Sequence, residues 1–188
     1  MKNKTHVAIS FFVILLFAGF FIYKYQNQQK EIVSSVPNSA TTTNVDIGIP
    51  PLRTPPLGFK EYRHLTYHFS LFYPDNLSVK EYKEEGTAMT VIFQDAEGDR
   101  SFQIFIVPYG ESQITEQRFK MDVPSGVKQE PVDVMINGIR GTMFWSENAV
   151  MGPTREVWFI RGGFLYEVTA YRGLDAWLAE IMQTWKFF

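Results

Sequence analysis

The sequence predicts an α+β domain, an antiparallel β-sheet flanked by helices, preceded by one transmembrane helix. Three observations predict it. An unbroken apolar run lies near the amino terminus, period-two alternation recurs between turn dipeptides from Phe59 onward, and an i, i+3, i+4 apolar spacing closes the chain.

The amino-terminal run is Val7 to Tyr23, 17 uncharged and mostly apolar residues. As a helix it would span roughly 26 Å at ~1.5 Å per residue, close to the hydrocarbon thickness of a bilayer. Lys2 and Lys4 flank one end and Lys24 the other, while Tyr23 and Tyr25 suit the interface. A cleaved signal peptide would have a shorter apolar core followed by small residues, whereas this core runs into Phe20-Phe21-Ile22-Tyr23-Lys24-Tyr25. Residues 1–25 are therefore read as an uncleaved membrane anchor. The short positive segment before Val7 places the amino terminus inside and the carboxyl-terminal domain outside the cytoplasm, at the cell membrane.

Residues 26–58 read as a disordered Pro/Ser/Thr linker. Half of the ten prolines fall here, including Pro50-Pro51 and Pro55-Pro56, beside the polar stretch Ser34 to Thr43. A coil of that length has a mean end-to-end distance of ~30 Å.

The globular part is expected over 59–188. From His64 to Tyr73, Leu65, Tyr67, Phe69, Leu71 and Tyr73 fall on one face, and His64, Thr66, His68 and Ser70 on the other, which predicts one half-buried strand ending at Pro74. Met89, Val91 and Phe93 alternate with polar neighbours. After the polar turn Asp95 to Arg100 the alternation resumes at Phe102, Ile104 and Ile106, a hairpin. A second hairpin is expected around Asn137-Gly138, the dipeptide suited to a tight primed turn. A third forms around Gly162-Gly163, with Phe159 opposite Tyr166 and Val157 opposite Val168. Because Trp158, Ile160 and Leu165 fill the other faces of these last strands, both are expected to be central and covered on two sides. Thr115 can cap a short helix that Pro124 ends, with Ile114 and Phe119 as a hydrophobic staple. Leu174, Trp177, Leu178, Ile181 and Trp185 mark one buried face of a final helix.

The strand closed by Tyr-Pro (Tyr67-His68-Phe69-Ser70-Leu71-Phe72-Tyr73-Pro74), the Ile136-Asn137-Gly138 turn and a last helix running into Thr184-Trp185-Lys186-Phe187 resemble the PsbP-like α/β/α sandwich. The resemblance covers about residues 60 to 188, and with the anchor it points to the bacterial proteins that display such a domain on a membrane. Photosynthetic members are extrinsic subunits of a membrane complex, and other relatives, among them a nuclear-import factor, bind proteins without catalysis. The resemblance thus implies a fold and a binding role, and assigns no ligand residue.

The chemistry-bearing residues form no recognisable catalytic set. With no cysteine, there is no disulfide and no thiolate site, and a net charge of −2 without a run of like charges gives no footprint for nucleic acid. His64 and His68, on one strand, would lie ~13 Å apart, too far to share a metal, and are expected on the solvent side. Asp95, Glu97, Gly98 and Asp99 begin like a calcium loop, but the glycine is misplaced and Ile106 stands where the last ligand belongs, so an acidic turn is expected. Glu81, Glu84 and Glu85 read as a solvated acidic edge. Ser101, Ser125 and Ser146 have no nucleophile elbow around them, and Gly162-Gly163 is a turn rather than a phosphate loop. Of the four tryptophans, most are expected in the core.

No catalytic residue, cofactor or metal is expected. The leading expectation is a membrane-anchored, extracytoplasmic, non-catalytic interaction or envelope-structural domain, with its membrane contact through Val7 to Tyr23 and another envelope protein as partner. A carbohydrate or cell-wall binding module and an enzyme with an unrecognised site are the alternatives. The segment Ser146 to Pro153 carries Ala149, Val150 and Met151 between two strands, which makes Val150 and Met151 the candidate partner contact if they are presented rather than folded onto the sheet.

Overall fold

Alternating apolar residues build two antiparallel sheets in the computed structural model, which describes residues 51–84, 86–149 and 151–188. Thr54–Phe187 form the first of two compact units. The expected anchor and most of the linker lie outside the described residues. Among the described residues, no helix is long and apolar enough to cross a membrane.

The first unit contains β1 (Phe59–His64), β2 (Phe69–Pro74), β3 (Ser78–Lys83), β4 (Met89–Gln94), β5 (Ser101–Pro108), α1 (Glu116–Asp122), β6 (Gln129–Ile136), β7 (Ile139–Asn148), β8 (Gly152–Arg161), β9 (Phe164–Tyr171), α2 (Asp175–Gln183) and β10 (Lys186–Phe187). Seven strands form the larger sheet in the order β3-β4-β5-β9-β8-β7-β6, and β1-β2-β10 form the smaller one. The fold is thus sheet-rich, with two sheets where one was expected, and with few helices.

Opposite faces of the large sheet carry different layers. Val157, Phe159, Tyr166 and Val168 point to the main core, shared with Phe69 and Leu71 of β2, Leu178 and Ile181 of α2, and Trp185. Phe144 and Trp158, one residue out of phase, meet Phe119 of α1 on the other face, at ring-centroid distances of 5.7 and 5.9 Å. Both sides of β8 and β9 are therefore buried, as the apolar residues on both their faces require.

Several elements form where the residues dictate them. Asn137 and Gly138 take φ of 46° and 85°, the left-handed pair of a primed hairpin turn. Asn137 Oδ1 also accepts the amide of Phe187 at 3.0 Å, which ties this turn to the last strand. Phe159 pairs with Tyr166 and Val157 with Val168, the expected register. Thr115 Oγ1 caps α1 by accepting the Arg118 amide at 3.1 Å. Gly141 faces a crowded spot: a Cβ there would stand 2.8 Å from the Trp158 carbonyl oxygen and 2.9 Å from Ile136 Cδ1, so β7 approaches β8 closely because this residue has no side chain.

Two expectations need correction, and one strand, β3, has no counterpart among them. His64 to Tyr73 is not one strand but the end of β1, a turn and β2. The four-residue turn pairs His64 with Phe69, so the inward face passes from even residues on β1 (Tyr62, His64) to odd residues on β2 (Phe69, Leu71), while Leu65 and Tyr67 in the turn continue the odd apolar spacing in sequence; His68 adopts φ 51° and Leu65 is left 54% exposed. β3 is a strand with little apolar signal. It is a sheet edge, where Lys80 and Lys83 discourage pairing with another chain. Trp185 lies beyond α2, not on it. Thr184 ends the helix, accepts the Phe72 amide at 2.8 Å and donates to the Ile181 carbonyl at 2.7 Å, and this turns Trp185 into the core.

Candidate functional site

His64 is buried, contrary to its expected solvent-side place, because it ends β1 on the inward face of Tyr62, paired with Phe69 of β2. Its Nδ1 accepts the Tyr67 amide at 3.2 Å, so the proton belongs on Nε2, which faces Met89 Sδ at 3.0 Å. The ring stacks on Phe69 with centroids 5.8 Å apart. Burial holds its pKa below the ordinary histidine value. This is a packed, neutral histidine, and His68 lies on the exposed turn.

The acidic turn is self-contained. Asp95 Oδ1 accepts the Gly98 amide at 2.7 Å and Oδ2 the Arg100 amide at 3.1 Å, so this carboxylate organises its own hairpin. Glu81 is more than a solvated edge residue, since it accepts the Tyr62 hydroxyl at 2.7 Å across β3 and β1. Glu84 accepts the Thr90 hydroxyl at 2.8 Å, and Glu85 lies outside the described residues. Among the described residues, no group of three or more histidine, cysteine, aspartate or glutamate side chains is arranged to hold a metal ion.

The segment Ser146 to Pro153 is largely strand rather than loop. β7 runs to Asn148 and β8 starts at Gly152, leaving a tight turn between them. Ser146 is buried, and Met151 is half-buried at the hairpin tip, its amide donated to Asn148 Oδ1 at 3.0 Å. Val150 lies outside the described residues. Trp158 and Trp185 are core residues, while Trp145 carries two guanidinium groups, those of Arg155 and Arg172, 3.1 and 4.7 Å from its ring centre. Arg155 Nε also donates to Asp175 at 2.5 Å, linking β8 to the start of α2.

Sequence reasoning missed a cluster of ionisable groups between α1 and the large sheet. Glu156 and Glu167 stand on the same face as Trp158, Glu167 directly opposite that residue in the β8–β9 pair. Glu156 accepts hydrogen bonds from Thr154 (2.8 Å), Thr169 (2.7 Å) and the Trp158 indole (3.3 Å). Burial pushes its pKa up to about 7, against the pull of those three donors. Arg118 and Asp122, one helical turn apart on α1, form an ion pair over this face, and Arg118 Nη2 lies 3.6 Å from Glu167 Oε1. Burial raises the Glu167 pKa well above the carboxylate range. The charge of Asp122 and a hydrogen bond to it add to that effect, and Arg118 opposes it. The signal that could have found the cluster is parity: residues 156, 158 and 167 share a covered face, and 118 and 122 share a helix face.

Two sheets, one covered by a helix on its outer face and by a helix and a second sheet on its inner face, define a PsbP-like fold. No family model matches the chain, and no curated protein matches it in sequence. Among solved structures the chain is similar to cyanobacterial PsbP from Synechocystis sp. PCC 6803, solved in solution, at 13% identity and a TM-score of 0.50, over 70% of this chain and 93% of that one. The likeness is one of fold.

Proposed function

We propose that this chain is a single-pass membrane protein, anchored through Val7 to Tyr23, whose PsbP-like domain is extracytoplasmic and acts by binding another envelope protein rather than by catalysis. The observation that carries the non-catalytic reading is the sealing of its most perturbed carboxyls. Glu156 and Glu167 have the raised pKa values that mark acid–base catalysts, yet they are only 6% and 5% exposed and are engaged by the domain's own side chains. A general acid has to come within hydrogen-bond reach of its substrate. Here that reach is taken up by Thr154, Trp158, Thr169, Asp122 and Arg118.

The hairpin tip is the proposed contact, with Met151 at the end of a pair of ten-residue strands that fixes its position, and Val150 as its neighbour in sequence. Met151 offers a flexible, polarisable side chain of the kind that fits a partner's surface. A photo-crosslinking residue placed at 151 in the full-length protein, in its native membrane, is expected to give one discrete protein adduct. The same residue at Lys120, exposed on α1, is expected to give none. Identical products from both positions, or none from 151, would reject this contact.

A further inference from the structure

The attachment of α1 to the sheet is unusual in its make-up. Of its seven residues only Arg118 and Phe119 are buried, joined by the Asp122 side chain, and Val123 follows at its end. Half of that footing is therefore ionic. An ionic contact removed from water holds only while its charges balance, because an uncompensated buried charge is strongly unfavourable.

The balance can be counted. Arg118 supplies one positive charge, and Asp122, Glu167 and Glu156 would supply three negative charges if all were ionised. One proton on Glu167, donated to Asp122, and a second on Glu156 leave the Arg118–Asp122 pair as the only charges, with a net of zero. Lys128, in the segment after α1, lies 5.3 and 5.4 Å from the Phe119 and Phe144 ring centres at the edge of the same layer. β5 contributes Phe105 opposite Glu167, which brings no charge.

We propose that α1 is a proton-controlled cover, docked while one proton is shared between Glu167 and Asp122 beneath Arg118, and released from the sheet when that proton leaves, uncovering the Phe119–Phe144–Trp158 aromatic layer.

The sign follows from linkage. A carboxyl whose pKa is raised in the folded state contributes stability that is fully present below the ordinary glutamate value and is lost as pH rises through the folded value. For Glu156 that value is about 7, and Glu167 shifts in the same direction. Docking of α1 is therefore strongest below the ordinary glutamate range and weakens as pH rises through the raised Glu167 value. His64 acts in the opposite sense: its lowered pKa makes protonation unfavourable as pH falls. It lies in the layer of β1 and β2, on the other face of the large sheet from α1.

Amide exchange of the full-length chain, corrected for the intrinsic pH dependence of exchange, tests this. The Phe119 and Val123 amides, which donate to the Thr115 and Phe119 carbonyls of α1, are expected to lose at least tenfold in protection between pH 6 and 8.5 relative to Val168 of β9. Glu167→Gln, which mimics the protonated carboxyl and keeps a donor toward Asp122, is expected to flatten that dependence. Should Glu167→Gln fail to fold, Asp122→Asn has to flatten it instead, since it removes the carboxylate that shares the proton. Equal loss of protection in α1 and β9, or an unchanged profile in the variant that folds, overturns the proposal.

Discussion

Replacing Trp185 with alanine is expected to destabilise the domain by about 3–5 kcal/mol, the largest effect of any single truncation in the main core. The indole is 1% exposed and stacks on Phe69 with centroids 4.6 Å apart. It also meets the edges of Phe159 and Tyr166, at 5.3 and 6.2 Å. Those partners come from β2, β8 and β9, so the side chain joins the small sheet to the large one, and its loss leaves a cavity that rigid strands on either side cannot close. Trp185→Phe is a useful contrast. Trp185 Nε1 is buried and, among the described residues, has no hydrogen-bond partner, so a phenyl ring removes an unsatisfied donor while losing some volume. The expected cost is about 1 kcal/mol. Urea denaturation of both variants at one pH separates the two values.

A comparable loss, about 3–5 kcal/mol, is expected from Arg118→Ala near neutral pH, for a different reason. The guanidinium is the cation between Asp122 and Glu167, and without it two carboxyls remain in a site from which water is excluded. The same variant should be less impaired at pH 5 than at pH 8, because a second proton can then replace the missing positive charge. A cavity alone would cost the same at both. Denaturation midpoints at the two pH values therefore distinguish loss of charge from loss of packing.

Much of the fold was legible because its strands obey simple parity. Gly162-Gly163 and Asn137-Gly138 admit few turn geometries, so the register of the flanking strands, Phe159 on Tyr166 and Ile136 on Ile139, follows from the position of the glycines. The misreading at His64 to Tyr73 has the same physical source. The four-residue turn moves the inward face from the even residues of β1 to the odd residues of β2, and Leu65, Tyr67 and Phe69 look alike in sequence although the first is exposed and the other two are buried. β3 was invisible because an edge strand with one face in water, Ser78 to Lys83, needs almost no apolar residues.

The charged cluster under α1 was harder to read. Glutamate in a strand ordinarily faces water, and although parity puts Glu156 and Glu167 on the face of Trp158, nothing in the β8 and β9 sequences says which helix covers that face until α1 is known to lie there. Arg118 and Asp122 look like an ordinary surface pair one helical turn apart. Only the tertiary arrangement turns the four residues into one buried site.

The central claim, a PsbP-like domain held outside the membrane by an amino-terminal anchor, is tested most directly by protease added to intact bacterial spheroplasts that carry the full-length protein with a carboxyl-terminal tag. The predicted result is cleavage between Gln26 and Gly58, with release of a tagged fragment that resists further digestion. Complete protection of the tagged domain until the membrane is opened would contradict it.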